Sequence, residues 1–232
     1  MYKNFLNARS PLRLLEKGLH GGLGQGNLGL ILAGHGVGKT SFLVGLALDE
    51  LLRGGTVLHV ATDQTVAHVR AHYDTTYETL AASTQLEDVA VTHAEIDRSR
   101  RIRAYSPASF QATKLREAVK AEMEAGAKPS LILLDGVDLQ DLGRDQVMDM
   151  IALSKELEAE LWASVPCSTE KIEGLPDSIA GLEDLTSVVL ALEPGHDSDD
   201  AVGLRAIKDH DNPDVSALHV ALDPKTLLLI RS

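Results

Sequence analysis

Three closely spaced glycines and the lysine after them are the residues whose types and spacing most directly indicate chemistry. They lie in residues 33–40 (AGHGVGKT), between an apolar run and a helix-like segment. Glycines let the backbone curl so that successive N–H groups converge on an anion, and the lysine can reach the outer phosphates of a nucleotide. A glycine-rich turn that only caps a helix is the alternative, but a cap does not need this combination. We predict a phosphate-binding P-loop, with Ala33 in place of the usual first glycine, formed by Gly34, His35, Gly36, Val37, Gly38, Lys39, Thr40 and Ser41.

Two oxygen-bearing side chains are predicted to hold a magnesium ion beside this loop. The Thr40 hydroxyl follows the lysine directly, where P-loop proteins place an Mg²⁺ ligand. Asp135 follows four apolar residues (131–134, LILL), so it would lie at the end of a buried strand and bind Mg²⁺, usually through water. An acid that simply begins a turn is the alternative for Asp135. These residues therefore predict a nucleotide cofactor together with Mg.

The remaining pattern places these residues on alternating strands and helices. Strands are predicted at 28–33, 56–61, 88–93, 131–134, 162–166, 187–192, 202–207, 217–222 and 226–230. Helices are predicted at 39–53, 65–82, 106–125 and 144–161. Such alternation predicts an α/β fold with a mostly parallel central sheet, helices on both faces, and antiparallel strands at the C-terminal end. No linker divides the chain, so a single domain over residues 1–232 is expected.

Composition limits the class of partner and the compartment. The net charge of −12 disfavours nucleic acid, whose binding depends on phosphate neutralisation. The basic run 98–103 (RSRRIR) is interpreted as a solvated or subunit-contacting loop, with a nucleic-acid contact or an arginine finger as alternatives. The single cysteine, Cys167, allows no internal disulfide, and we see neither a signal peptide nor a membrane span. A cytoplasmic location is expected.

Residues 11–65 carry a resemblance to a known family. The stretch with the lead-in GGLGQG (21–26), the strand, the glycine loop, the helix and the next strand resembles RecA-like ATPases of the KaiC, RadA and DnaB-helicase group. The resemblance extends in element order over about residues 11–231, but it is specific only in 11–65 and around 131–138. It implies a RecA-like P-loop NTPase that uses ATP and assembles with further copies of itself, as a ring or otherwise, or with a protein partner.

The resemblance also implies roles for three further positions. Asp63 matches the family's glutamate that orients the attacking water, although it is one methylene shorter, and its alternative role is an N-cap. The family's γ-phosphate sensor falls at residues 167–169 (CST), which contain no Gln or Asn, so Ser168 is the remaining candidate. Lys208 matches a lysine that reaches the neighbouring subunit's nucleotide, with His210 where an arginine would follow. Its alternative is local pairing with nearby acids, Asp197, Asp199, Asp200, Asp209 and Asp211.

These observations leave two main hypotheses for function. The first is an ATPase that hydrolyses ATP with Mg²⁺ at subunit boundaries, with Lys39, Asp63 and Lys208 as catalytic residues. The second is a nucleotide-dependent binding or regulatory module with weak or no hydrolysis. A helicase or recombinase is disfavoured by the charge, and a small-molecule kinase by the strand-rich tail. His68 and His72 have metal-ligand spacing on a predicted helix but are interpreted as surface histidines.

Overall fold

In the computed structural model, residues 3–168, 172–195, 201–215 and 218–232 are described, and one mixed sheet organises them. Within this part of the chain, nine strands join that sheet. They are β1 Leu28–Ala33, β2 Val57–Ala61, β3 Arg100–Ala104, β4 Leu131–Asp135, β5 Glu160–Pro166, β6 Val188–Glu193, β7 Val202–Asp209, β8 Val220–Leu222 and β9 Leu229–Arg231.

The strand order places the glycine loop after a strand that has parallel neighbours on both sides, β5 and β6. The order is β3-β2-β4-β5-β1-β6-β7-β8-β9, in which every pair from β3 to β6 is parallel and every pair from β6 to β9 is antiparallel. The predicted α/β class, with antiparallel strands at the C-terminal end, is therefore confirmed. Since parallel strands end at the same edge of a sheet, the residues after β1, β2, β4 and β5 are brought together.

Helices cover both faces of the sheet. They are α1 Lys3–Ala8, α2 Leu12–Gly18, α3 Lys39–Leu52, α4 Val66–Thr84, α5 Val89–Ser99, α6 Ala112–Glu124 and α7 Leu139–Leu157, with 3₁₀ segments at Pro107–Ser109 and Asp177–Leu185. Alternate residues of β1 enter two separate cores: Ile31 packs with the buried side chains of α2 to α5, and Leu30 with those of α6 and α7. Each strand of the centre is thus buried on both faces, which explains its continuous apolar sequence. Within the described residues, we find no helix that is long and apolar enough to span a membrane.

The strand predicted at 88–93 is wrong, because this segment begins helix α5. Valine alternation suggested a strand, but Thr92 and Ile96 are the residues that become buried. Their spacing of four is helical, so packing against the core selected the helix.

Two predicted helices have different boundaries. The helix expected at 106–125 is broken after the 3₁₀ segment, since Phe110 is extended and buried against Tyr105, with ring centroids 5.5 Å apart. The helix expected at 144–161 begins earlier, where the Asp138 carboxylate accepts from the amides of Gln140 and Asp141. It is interrupted at Gly143, whose φ is 72°, and gives way to β5 at residue 160.

The basic run 98–103 is not a solvated loop, because most of it forms the edge strand β3. Arg100 is buried between Asp74 and Asp97 and lies over the Tyr73 ring, 4.9 Å from its centroid. Arg101 and Arg103 both pair with a nearly buried carboxylate of α6, Glu122. These acids neutralise the positive charge of the strand's arginines. The prediction missed this pairing because only the tertiary structure brings the acids and the arginines together.

Candidate functional site

A cleft of about 570 Å³ lies at the carboxyl ends of the central parallel strands. The glycine loop after β1 forms one wall, and the segments that follow β2, β4 and β5 form the others. The cleft brings together Lys39, Thr40, Asp63 and Asp135, which are separated by up to 96 positions in the sequence. This edge is the usual place for a ligand in an open α/β sheet.

Two glycines of the loop are required by its backbone. Gly36 and Gly38 have φ values of 76° and 115°, in the left-handed region that L side chains rarely adopt. A Cβ atom on Gly38 would also lie 2.5 Å from the Leu222 side chain. Gly34 has no such φ, and a Cβ there would meet only Val37, at 3.3 Å. The loop's turn therefore depends on the second and third glycines more than on the first.

Lys39 is held inside the loop by main-chain oxygens. Its Nζ donates to the carbonyls of Ala33 and Gly34, at 3.1 and 2.9 Å. Burial lowers the pKa of Lys39, and the nearby carboxylate of Asp135 partly opposes that effect. Helix α3 begins at this lysine, and no side chain caps it. The first amides of a helix lack intrahelical partners, so this end can accept an anion next to the ammonium group.

Thr40, Asp135 and Ser164 form a hydrogen-bonded cluster at the cleft floor. Thr40 Oγ1 donates to Asp135 Oδ2 at 2.7 Å, and Ser164 Oγ donates to Asp135 Oδ1 at 2.8 Å. Ser164 Oγ also accepts from the Gly136 amide at 3.1 Å. Burial acts to raise the pKa of Asp135, but nearby His59 and these two hydroxyl donors outweigh it and hold the pKa below its ordinary value. The cluster therefore keeps a buried carboxylate ionised.

The donors around this carboxylate suit a hard divalent cation. A carboxylate and a hydroxyl supply the oxygen ligands that Mg²⁺ prefers. Gln64 Nε2 donates to Thr40 Oγ1 at 3.2 Å, while its Oε1 is buried without a hydrogen-bond partner in the described structure. An orphaned acceptor beside two oxygen ligands is a place where a metal-bound water can donate. The residues present fit a magnesium ion.

Asp63 lies at the mouth of the cleft and is exposed. Its carboxylate covers Gly136, where a Cβ atom would approach Asp63 Oδ1 to 2.5 Å. The N-cap of α4 is Thr65, whose hydroxyl accepts from the His68 amide at 3.2 Å. Asp63 is therefore not the cap of this helix, which removes the alternative that the sequence left open.

Lys208 and the sensor candidate do not line the cleft in the described part of the chain. Lys208 on β7 is paired with Val189 on β6, and Val189 is paired with Leu30 on β1. Leu30 precedes the glycine loop, so Lys208 is not level with the loop. Its Nζ donates to the carbonyl of Glu183 at 2.7 Å. Ser168 is exposed, and Thr169 lies outside the described residues, as do Asp197, Asp199 and Asp200.

Both ring nitrogens of His210 contact residues of the same chain. Its Nδ1 lies 2.9 Å from Asp209 Oδ1, and its Nε2 lies 3.0 Å from the carbonyl oxygen of Leu23. Both partners are acceptors, so both bonds are satisfied only when each ring nitrogen carries a hydrogen.

The two histidines on α4, His68 and His72, contact each other. His68 Nε2 and His72 Nε2 are 3.3 Å apart, and only His72 lines the cleft. A third ligand is lacking, since the described residues hold one group of three or more potential ligands, formed by Asp74, His93 and Asp97. Arg100 pairs with both carboxylates of that group, which makes it an ion-pair cluster.

Sequence reasoning missed Ser164, Gln64 and His72 at the cleft. Ser164 had a signal, because it is a polar residue inside an apolar strand (LWASV) and would need a buried partner. Gln64 and His72 had none, since polar residues near a helix start are common on surfaces.

Comparison with known proteins does not assign a family. No protein-family model matches the sequence, and no curated protein shows significant similarity to it.

Proposed function

We propose that this chain is a RecA-like P-loop protein that binds ATP with Mg²⁺ in the cleft. The observation that carries the proposal is the convergence of Lys39, Thr40 and Asp135, with Thr40 Oγ1 and Asp135 Oδ2 2.7 Å apart. A helix N-terminus and an ammonium group favour a polyphosphate, and the paired oxygens favour the cation that accompanies it.

Each residue would have a distinct role toward the nucleotide. Lys39 would exchange its two carbonyl partners for phosphate oxygens, and the amides around Gly38 would donate to the same group. Thr40 and Asp135 would hold Mg²⁺, which, when bound, neutralises charge on the phosphates. Asp63, at the mouth of the cleft, would accept a proton from the attacking water as a general base. Hydrolysis to ADP and phosphate is the activity we propose.

A second function, a nucleotide-dependent binding module with slow hydrolysis, is favoured by the contacts of two side chains at the C-terminal end of β7. Lys208 is bound to the carbonyl of Glu183, and His210 is bound to Asp209 and Leu23. Both contacts would have to break before these side chains reached a neighbouring subunit. In that case nucleotide would control assembly with further copies or with a protein partner.

Equilibrium binding of ATP to the full chain tests the shared part of both functions. Lys39→Ala should weaken Mg–ATP binding about 10- to 100-fold, the loss expected when a charged hydrogen bond of about 1.5–3 kcal/mol is removed. Lys120→Ala, at an exposed lysine of α6, is the matched control and should bind as wild type does. Equal affinity of the Lys39 variant and wild type would refute the proposal.

Phosphate release then separates the two functions. Asp63→Asn should leave ATP binding intact and remove turnover if the chain is an ATPase. Turnover should also rise with protein concentration if subunit boundaries complete the site, and Lys208→Ala should abolish that rise. Binding without turnover at any concentration would select the binding module.

A further inference from the structure

His59 is a histidine within a strand whose other residues are all apolar. It lies in the middle of β2 (VLHVA), its side chain is fully buried, and it does not line the cleft. Its Nδ1 lies 3.0 Å from the hydroxyl of Tyr73, which is itself fully buried on α4. A buried polar side chain needs a partner for each polar atom.

The second ring nitrogen of His59 is the unpaired one. Nε2 is buried and has no hydrogen-bond partner in the described structure. It faces Asp135, with Nε2 and Oδ2 3.7 Å apart, which is longer than a direct hydrogen bond. The atom is therefore directed at the carboxylate from a fully buried position that is not part of the cleft lining.

The partners of His59 decide which nitrogen carries hydrogen. Burial raises the pKa of Tyr73, so its hydroxyl keeps its proton and can donate it to Nδ1. A bare Nε2 would direct a lone pair at the carboxylate of Asp135, which is repulsive. An Nε2–H group instead presents a donor to that carboxylate, so this is the form that the surroundings favour.

We infer that His59 is a positioning residue for Asp135, with Tyr73 fixing the ring and the Nε2–H group orienting the carboxylate. The inference rests on the proposed role of Asp135 in holding Mg²⁺. Thr40 and Ser164 contact the same carboxylate at 2.7 and 2.8 Å, and Thr40 lines the cleft where the cation would bind. His59 approaches the same carboxylate from a buried position that does not line the cleft, and at 3.7 Å its Nε2–H group would act on Asp135 Oδ2 by electrostatic attraction. Partners of this kind, behind a metal ligand, typically change metal affinity 10- to 100-fold.

Two substitutions separate positioning from packing. In His59→Asn the short amide can keep the contact with the Tyr73 hydroxyl but cannot reach Asp135. In His59→Gln the longer amide can present an N–H group near the former Nε2. Urea unfolding of both variants should establish that each is folded before binding is measured.

Binding of a fluorescent ATP analogue is measured with Mg²⁺ and again in EDTA. We expect His59→Asn to weaken the Mg²⁺-dependent affinity about 10-fold, with the EDTA value unchanged. His59→Gln should restore most of that affinity. Equal behaviour of the two variants, or equal loss in EDTA, would overturn the inference, because packing alone does not distinguish them.

A second readout needs no nucleotide. Imidazole ¹⁵N NMR of the metal-free full chain, assigned with the His59→Gln variant, should show His59 Nε2 in the protonated range. An unprotonated Nε2 would overturn the inference. Wild-type protein that binds no Mg–ATP would instead overturn the proposed function, and wild-type binding with unchanged His59→Asn would overturn this inference alone.

Discussion

Ser164→Ala should destabilise the protein more than a buried serine usually does, even without any ligand. Ser164 donates to Asp135 Oδ1 at 2.8 Å and accepts from the Gly136 amide at 3.1 Å. Losing a hydrogen bond to a charged group costs about 1.5–3 kcal/mol, and leaving the partly buried Gly136 amide unpaired costs about 1 kcal/mol more. The expected loss in the free energy of unfolding is therefore about 2–4 kcal/mol at pH 7.

The pH dependence of this loss identifies its cause. The folded pKa of Asp135 lies below its ordinary value, so the carboxylate stabilises the fold above about pH 4. That contribution falls as the pH drops through the lowered folded pKa, because the folded carboxylate then takes up a proton. Ser164→Ala brings the folded pKa closer to the unfolded one. The difference between wild type and variant should be greatest near neutral pH and shrink below about pH 4.

Urea unfolding in EDTA, from pH 7 down to the lowest pH at which both proteins fold, measures the difference. Ser154→Ala is the matched control, because Ser154 is equally buried but donates to a neutral carbonyl, that of Ile151, at 2.8 Å. It should cost about 1 kcal/mol with no dependence on pH. An equal cost for the two variants, or a Ser164 cost that does not change with pH, would refute the reasoning about Asp135.

Two further variants test the surroundings of the cleft. Gly136→Ala should cost about 1–3 kcal/mol in thermal or urea unfolding, since φ is 72° and the new Cβ would lie 2.5 Å from Asp63. Gly181→Ala, where a Cβ meets nothing within 4 Å, is the control, and equal costs would contradict the argument. Asp209→Asn should destabilise the fold at pH 7 and less so on acidification below about pH 4, because burial is outweighed by His210 and its other donors, which lower the pKa of Asp209. A destabilisation that grows on acidification would contradict this sign.

Much of the fold could be predicted because its signals are local. Continuous apolar runs between turns indicated the buried strands β1, β4 and β6, and the helical pattern at residues 65–82 indicated α4. Segments whose pattern fits two structures could not be assigned this way. Residues 88–93 alternate like a strand, yet the burial of Thr92 and Ile96 makes them helical. The arginines of β3 were predicted to lie in a solvated or subunit-contacting loop, because the sequence does not show that the carboxylates of Glu122, Asp74 and Asp97 pair with them.

The sequence by itself determined the glycine loop, the lysine and hydroxyl after it, and an acid at the end of a buried strand. These features are local: they depend on backbone curvature and on residues close together in the sequence, so their spacing along the chain is enough to predict them. Only the tertiary structure decided what lies behind and around that acid. Gln64 and Ser164 reach Thr40 or Asp135 because four parallel strands end at one edge of the sheet, and His59 lies beside Asp135 because β2 and β4 are neighbours in parallel register. Strand order and register set these distances, and neither can be predicted from any single segment of the chain.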